Sequence, residues 1–236
     1  MIHACVRAQT WANVEWLVHD DSPEPSAYMQ GVKDTRIRYE HDPERRTTGG
    51  KRNLLVERAR GAIIAHFDDD DFYAPGYLAS LAGSLEKRGA DFAKLEAFYL
   101  YHAGFEEIAY WDMTNVAGLH DDWRDPERRG SPRVHPEDPD EHLGYGFSYV
   151  YRRKVWERTP FPDVRWNEDG PFALAAVRDF QYAGLRDQIG LALHIQHGRN
   201  SSRSYPQYRF PPFLNKRLFP GAEPYFGALR TIMQAP

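Results

Sequence analysis

Apolar side chains in the first hundred residues recur alternately at the spacing of strands and at the spacing of helices. Four segments have the length and apolar content of strands: residues 14–19, 36–39, 62–67 and 91–101. Helical spacing predicts helices over residues 51–60 and 75–87, and residues 2–9 are typical of the end of a helix. This alternation predicts an α/β fold with a largely parallel sheet covered by helices.

The pattern is less regular in the second half of the chain. Short strands are expected at residues 108–111, 147–151 and 190–196, and a helix over residues 166–177. Residues 102–142 are rich in Asp, Arg, Pro and Gly, which predicts loops. The composition then shifts to Pro, Tyr, Phe and Arg. We therefore expect one domain over residues 1–202 and an irregular tail, residues 203–236, packed on or over it.

Composition narrows the classes of function. The formal net charge of −4 over 236 residues argues against general nucleic-acid binding. Cys5 is the single cysteine, so no disulfide can form within the chain. We find neither a signal peptide nor an apolar run near the roughly 20 residues of a transmembrane helix. These features predict a cytoplasmic protein without a transmembrane segment.

Four consecutive aspartates, Asp68–Asp71, follow directly on the apolar strand at residues 62–67. Adjacent carboxylates repel one another unless a cation lies between them. Carboxylate oxygens at the carboxyl end of a sheet strand suit Mg²⁺ or Mn²⁺, and open α/β sheets bind ligands at that edge. The alternative is a solvated acidic turn that caps the helix at Pro75.

Two further segments could serve an anionic ligand. Asp20-Asp21-Ser22 ends the strand at residues 14–19, and its carboxylates could accept hydrogen bonds from a base or ribose; otherwise it is an Asx turn. Gly49-Gly50-Lys51-Arg52 lies at a helix start, where glycines allow close approach and cations pair with phosphate. The alternative is a basic first turn on the surface.

A third acidic pair and a histidine come later in the chain. Glu168-Asp169 precedes a helix, and a carboxylate there could remove a proton from a hydroxyl or simply cap the helix. Side chains alternate along a strand, so His194 and His197 should not face the same way. We expect only His197 to reach a metal shared with the aspartates, unless this histidine is structural.

Together these segments resemble the family 2 glycosyltransferases with the GT-A fold. The segments that match lie in the expected order: residues 9–15 and 20–22, residues 50–53, residues 59–71 with Pro75, residues 168–169, and residues 197–200. The resemblance implies a Rossmann-like, mixed and mostly parallel sheet flanked by helices. It also implies a nucleotide-sugar half over residues 1–100 and an acceptor half over residues 101–202.

The resemblance implies a role for each residue of the nucleotide half. Asp20 and Asp21 should hold the nucleoside, with Lys51 and Arg52 near the base or the diphosphate. The nucleotide would be UDP, as is usual in such families. The partners are then a nucleotide sugar and a hydroxyl acceptor: a glycan, a lipid-linked sugar, a protein or a small molecule.

The aspartate run matches the DxD motif of that family. Asp68 and Asp70 are the motif carboxylates, and Asp70 should bind a Mn²⁺ or Mg²⁺ ion that bridges the diphosphate. Asp69 should lie beside the donor in a secondary role, and Asp71 should cap the next helix. His197 resembles a histidine that completes the metal site or contacts the phosphates in some members.

The resemblance also implies the reaction. Asp169, preceded by Glu168, resembles the base of inverting members, which deprotonates an acceptor hydroxyl as it attacks the anomeric carbon. We expect the aromatic residues around Tyr110, Trp111, Trp123, Tyr145 and Phe147 to shape the acceptor side or to pack in the core. The overall expectation is a glycosyltransferase of the hexosyltransferase type.

Family members usually begin with a strand that supports the sheet and helps hold the base, and this chain begins in the helix that normally follows it. We therefore expect a frayed sheet edge. A nucleotidyltransferase and a non-catalytic remnant that binds nucleotide or metal remain alternatives. Nucleotidyl transfer would release pyrophosphate, and a remnant would bind without turnover. The absence of EF-hand spacing argues against a third alternative, a structural calcium loop.

Overall fold

The computed structural model describes residues 1–115, 119–121, 123, 132–134, 140–197, 200 and 204–227. Gly198 and Arg199 of the motif at residues 197–200 lie outside the described residues, as do residues 228–236 of the expected tail. Helices and strands alternate through the first half of the chain, which confirms the expected α/β class.

The described residues form twelve strands. Their bounds are β1 Trp16–Asp20, β2 Ile37–His41, β3 Ile63–Ala65, β4 Phe72–Tyr73, β5 Phe92–His102, β6 Glu107–Asp112, β7 Leu119–Asp121, β8 Pro132–Val134, β9 Val150–Arg152, β10 Tyr182–Arg186, β11 Ala192–Gln196 and β12 Tyr208–Phe210. Seven α-helices accompany them: α1 Ile2–Ala8, α2 Ala27–Gln30, α3 Thr48–Arg58, α4 Tyr77–Arg88, α5 Arg153–Arg158, α6 Asp169–Asp179 and α7 Phe213–Leu218. Two 3₁₀ turns lie at Glu141–Leu143 and Gly146–Ser148.

The long strand β5 is the centre of an eight-stranded mixed sheet. It pairs in parallel with β10 and β11, and antiparallel with β6 and β9. Strand β3 joins through β9, β4 through β11, and β12 through β6. The mixed sheet confirms the expected architecture, although antiparallel pairs are more frequent than expected. The short turn between β5 and β6 explains one of them, because adjacent strands joined by a tight turn must run in opposite directions.

Strands β1 and β2 form a separate parallel pair. Within the described residues no strand connects this pair to the eight-stranded sheet, at the place where the resemblance expected an additional first strand. Side-chain contacts link the pair to the rest of the protein instead. Glu15 accepts the Arg60 N–H at 2.5 Å, and Arg38 donates to the Arg58 carbonyl at 2.8 Å.

Much of the aromatic content lies in the core. Trp111, Trp123 and Phe147 are each at most 2% exposed, so of the two alternatives for these aromatic side chains the structure shows packing in the core. Large rings bury more apolar surface in the interior than they could at a wet cleft. Helix α4 packs on β5, β9 and β10, and its Leu81 and Leu85 are fully buried.

The expectation of an irregular tail is wrong for residues 204–227. These residues contain β12, which pairs with β6, and α7. Phe219, Ala222 and Phe226 reach the main hydrophobic core, so the segment packs on the sheet. No helix among the described residues combines the length and the apolar character that crossing a membrane requires.

Candidate active site

The first turn of α3 joins the two-stranded sheet to the aspartate run. Lys51 Nζ lies 3.3 Å from Asp21, and the Arg46 N–H donates to the same carboxylate at 3.4 Å. Partial burial acts to raise the pKa of Asp21, but Lys51 and Arg46 outweigh it and hold that pKa below its usual value. Lys51 also interacts with Asp69, which is exposed at the start of the next acidic turn. Asp21, Lys51 and Asp69 thus face one region.

Asp20 has a different environment from its neighbour. Its carboxylate accepts hydrogen bonds from the Ser22 and Ser26 N–H groups, the Ser22 hydroxyl and the Tyr39 hydroxyl. Despite its partial burial, these donors hold the pKa of Asp20 far below its usual value. Its oxygens already serve an Asx-type turn, so the geometry favours Asp21 over Asp20 as the residue available to a ligand.

Arg52 lies between the first and third acidic segments. Its guanidinium is 3.9 Å from Asp68 Oδ1 and 3.5 Å from Glu168 Oε1. Glu168 is buried, and its desolvation raises its pKa although Arg52 opposes this. Arg52 Nη1 is buried and makes no hydrogen bond within the described residues, although Glu168 Oε1 lies 3.5 Å from it. The segments at residues 68–71 and 168–169 therefore meet at one cation.

The carboxylates of Asp68, Asp70 and Asp71 form a cluster. One oxygen from each lies within 4.8 Å of the others, which is a spacing that a divalent ion can bridge. Desolvation raises the pKa of Asp68 to about 7; Arg52 opposes this, and the charges of Asp71 and Asp70 add to it. The expectation of a carboxylate group at the end of β3 is thus met by three side chains held close together.

Both histidines of the β11 end contact aspartates of this cluster, and the expectation that only His197 reaches a shared metal stays a prediction. His197 Nε2 lies 2.9 Å from Asp70 Oδ2, and His194 Nδ1 lies 2.9 Å from Asp71 Oδ2. Strand alternation does not separate them because β11 ends at Gln196, and His197 turns toward the cluster from beyond the strand.

The aspartates of the run differ in their partners. Asp71 is fully buried and accepts the Ile195 N–H at 2.8 Å as well as His194. It does not cap α4 as expected, since Gln9 Oε1 accepts the Leu78 N–H of that helix. The hydrogen bond from His197 lowers the pKa of Asp70 although burial acts to raise it, and Asp70 in turn raises the pKa of His197. Asp71 therefore attaches the acidic turn to β11, whereas Asp70 and His197 are more accessible.

Asp169 begins α6 at the far side of Arg52. Its Oδ2 accepts the Gly146 N–H at 3.0 Å and its Oδ1 accepts the Gly170 N–H at 2.9 Å. Asn167, two residues earlier, has φ +61°, a left-handed conformation that asparagine tolerates. This turn redirects the chain into the helix, so that Glu168 and Asp169 lie beside Arg52.

The glycine pair serves packing as well as the helix start. Gly49 lies inside the first turn of α3, and a Cβ on it would stand 1.8 Å from the Pro162 carbonyl oxygen. The Gly49 N–H donates to the Val164 carbonyl at 3.1 Å. The absence of a side chain at Gly49 therefore lets the backbone of α3 pack closely against the backbone of residues 162–164, which fixes the segment before Glu168. We expected these glycines to make room for a ligand and did not predict this packing contact.

Sequence patterns did not identify three groups that surround the site. His66 Nε2 lies 3.1 Å from the Tyr151 hydroxyl, and burial with the nearby Arg52 lowers its pKa well below the usual value. Gly146 supplies an N–H to Asp169. Lys94 is fully buried in β5. Of these three groups, only Lys94 could have been noticed in the sequence, since a lysine inside an apolar strand is unusual.

Sequence comparison shows the family of the chain. Residues 2–159 match the profile described as "Glycosyl transferase family 2". A curated relative, "Uncharacterized glycosyltransferase EpsJ" of Bacillus subtilis (strain 168), is 26% identical over 230 residues, covering 89% of this chain and 59% of the relative. The chain therefore spans less than two thirds of that protein.

Solved structures share the fold. S. aureus TarS 1–349, in complex with UDP-GlcNAc, gives a TM-score of 0.61 at 14% identity, covering 85% of this chain and 55% of that one. The mannosyltransferase PcManGT from Pyrobaculum calidifontis, in complex with GDP-Man and Mn²⁺, gives 0.56 at 14% identity, covering 83% and 51%. The fold is thus that of the GT-A glycosyltransferases. With the family profile matched over more than half of its length, the chain belongs to glycosyl transferase family 2.

Proposed function

We propose that this protein transfers a sugar from a nucleoside diphosphate to an acceptor hydroxyl with inversion at the anomeric carbon. The observation that carries the proposal is the position of Arg52, within 4 Å of both Asp68 and Glu168. A leaving diphosphate near the aspartate run and a base at the start of α6 would then lie on two sides of one cation. An in-line displacement needs the base and the leaving diphosphate on opposite sides of the reacting carbon, because the nucleophile attacks the face opposite the leaving group.

The residues around the aspartate run fit a divalent metal. Asp68 and Asp70 offer carboxylate oxygens, and His197 offers an imidazole nitrogen 2.9 Å from Asp70. A mixed oxygen and nitrogen ligand set suits Mn²⁺, and Mg²⁺ would bind chiefly to the carboxylates. When bound, the ion would supply positive charge for the departing diphosphate. Asp69, exposed beside this set, would contact the donor.

The protein's own residues would perform the remaining steps. Asp21 and Lys51 would hold the nucleoside and its phosphates, with Asp20 shaping the turn that presents Asp21. Arg52, whose Nη2 lies 3.9 Å from Asp68 Oδ1, would donate to a diphosphate oxygen, where it would stabilise charge as the bond to the sugar breaks. Asp169 would accept the proton of the attacking hydroxyl. Glu168 would keep Arg52 oriented.

Two similar proteins indicate the class of donor. One was solved with UDP-GlcNAc and the other with GDP-Man and Mn²⁺. We favour a UDP-sugar, in line with the sequence resemblance, and expect transfer to a glycan, a lipid-linked sugar, a protein or a small molecule. We place the donor on residues 1–100 and the acceptor on residues 101–202.

A donor screen tests the proposal. The protein is incubated with UDP-Glc, UDP-Gal, UDP-GlcNAc, UDP-GalNAc and GDP-Man, with Mn²⁺ or Mg²⁺, and released nucleoside diphosphate and pyrophosphate are measured separately. We expect nucleoside diphosphate from one donor. Asp70→Asn and Asp169→Asn should each lower turnover at least about a hundredfold. Asp179→Asn, at the exposed far end of α6, is the matched control and should leave turnover unchanged.

The variants should differ in binding. Asp70→Asn should weaken Mn²⁺ binding in isothermal titration calorimetry, whereas Asp169→Asn should bind Mn²⁺ and UDP as the wild type does. Release of pyrophosphate would support nucleotidyl transfer instead. Full turnover in either variant would refute the role given to that residue, and binding without any turnover would indicate a non-catalytic member.

A further inference from the structure

Lys94 is a buried cation that the proposed chemistry does not use. It lies in β5 with no exposed surface, although lysine is almost never fully buried without a partner. Its Nζ donates to the Leu95 carbonyl at 2.9 Å and to the His142 carbonyl. Desolvation lowers its pKa to about 7, against the opposing charges of Glu96 and Asp169. Burying a charged amine costs free energy, so we asked what the contacts of Lys94 contribute to function.

The His142 carbonyl belongs to a segment that surrounds Asp169. We define this segment, residues 142–149, as the base loop. Near its start, the Leu143 carbonyl accepts the Tyr149 hydroxyl at 2.6 Å, and that hydroxyl lies 3.3 Å from the Asp169 carbonyl. In its middle, the Gly146 N–H donates to the Asp169 carboxylate at 3.0 Å. The base loop therefore contacts both the backbone and the side chain of Asp169.

The base loop adopts a conformation that needs external support. Tyr145 has φ +67°, in the left-handed region that residues with a Cβ adopt only at a cost. Gly146 has no room for a side chain, since a Cβ would lie 2.2 Å from Arg52 Nη1. The Ser148 hydroxyl, at the far end of the loop, accepts the Leu95 N–H of β5 at 3.2 Å. Lys94 and Leu95 thus attach both ends of the base loop to the central strand.

We propose that Lys94 is a positioning residue for Asp169: it attaches the base loop to β5 so that the Gly146 N–H fixes the carboxylate. This inference rests on the proposed function, because it takes Asp169 as the base. Lys94 is remote from solvent and does not itself touch the substrate.

The obvious alternative is that Lys94 only neutralises Glu96. Glu96 shares the strand with Lys94, and Glu96 Oε1 accepts the Tyr182 hydroxyl at 2.9 Å, so it has a partner of its own. In the part of the chain that the structure describes, Arg52 and Glu168 also interact electrostatically with Asp169. A Glu96→Gln variant removes the charge of Glu96 while leaving the base loop attached. It is therefore the matched control for Lys94.

The test uses steady-state kinetics of the full chain on the donor that the screen identifies, with released nucleoside diphosphate as the signal. Lys94→Met keeps the length of the side chain and removes both donor and charge. Loss of orientation at a reacting group can cost about a hundredfold, so we expect kcat to fall between about tenfold and a hundredfold. The donor KM should stay within about twofold, since the nucleotide side is unaltered. Glu96→Gln should keep kcat within about threefold of the wild-type value.

A double-mutant cycle separates positioning from a general structural role. If Lys94 acts through Asp169, adding Lys94→Met to Asp169→Asn should lower the residual rate by less than about twofold. A loss as large as in the wild-type background would overturn the inference. So would an unchanged kcat in Lys94→Met, or an equal loss in Glu96→Gln.

A second variant covers the case in which Lys94→Met does not fold. Tyr149→Phe keeps the ring and removes the hydroxyl that joins Leu143 to Asp169, and it should lower kcat about three- to tenfold at unchanged donor KM. Unchanged kcat there would count against the base loop. The two proposals fail differently: full activity of Asp169→Asn refutes the proposed base, whereas inactive Asp169→Asn beside fully active Lys94→Met refutes only the present inference.

Discussion

Replacing Lys94 with Met should change how the stability of the protein depends on pH. The Lys94 ammonium is fully buried, and its pKa is lowered from 10.5 to about 7 by desolvation. Below pH 7 the side chain is charged in both the folded and the unfolded chain, so the full cost of burying the charge is present. Between pH 7 and 10.5 the folded protein loses this proton while the unfolded chain keeps it. The stability of the wild type must therefore rise with pH relative to that of the variant.

The magnitude follows from the size of the shift. Each unit of pKa shift corresponds to about 1.4 kcal/mol, so the difference in unfolding free energy between the two proteins should change by at most about 5 kcal/mol over the whole window. Between pH 7 and 9 the expected change is about 2 kcal/mol in favour of the wild type. The carbonyls of Leu95 and His142 lose a donor in the variant, which costs about 1–3 kcal/mol each and does not depend on pH.

Urea unfolding at pH 6, 7, 8 and 9 measures this difference, with circular dichroism as the signal. Urea is uncharged and therefore does not screen the buried charges. Other titrating groups cancel in the comparison between wild type and variant. Lys87→Met, at an exposed position of α4, is the control and should give a difference that is flat across the range. A flat difference for Lys94→Met as well would refute the inference that Lys94 is buried as an ammonium with a lowered pKa.

Three further substitutions test other features. Gly49→Ala would place a Cβ 1.8 Å from the Pro162 carbonyl oxygen and should destabilise the protein by about 1–3 kcal/mol in urea unfolding. The control is Gly83→Ala in α4, where a Cβ meets open space and the substitution should be neutral or stabilising. Equal effects of the two substitutions would contradict the close contact of Gly49 with Pro162. Asp20→Asn should cost about 2 kcal/mol at pH 7. Because the pKa of Asp20 is lowered in the folded state, the cost should shrink gradually as the pH falls below the usual value of 3.8, and a cost that is the same at pH 2 as at pH 5 would contradict this explanation. Trp166 is 70% exposed and lies two residues before Glu168, so we expect its flat ring to contact the acceptor sugar. Trp166→Ala should then raise the acceptor KM about fivefold at unchanged donor KM. An unchanged acceptor KM would refute this role of Trp166.

Local sequence patterns predicted the framework well. The strands β1, β2, β3 and β5 and the helices α3 and α4 lie within a few residues of their expected positions. In α4 the buried Leu78, Leu81 and Leu85 follow the helical spacing, and β5 is buried along almost its whole length. Shorter elements were missed, among them β4, α5, β10 and α7, because two to six residues carry too few repeats to distinguish a strand from a helix or a loop.

The properties of the individual site residues could not be predicted from local sequence patterns. The sequence by itself placed acidic residues at strand and helix ends, and it indicated the family through their order. Which carboxylates remain available was decided by distant residues: Asp71 is held by His194, 123 positions away, and Asp169 by Gly146. Lys94 contacts the base loop only because the fold packs β5 against that loop. Hydrogen-bond partners and desolvation depend on the packed structure and not on spacing along the chain, so the sequence determined the elements and the tertiary structure decided the chemistry of each side chain.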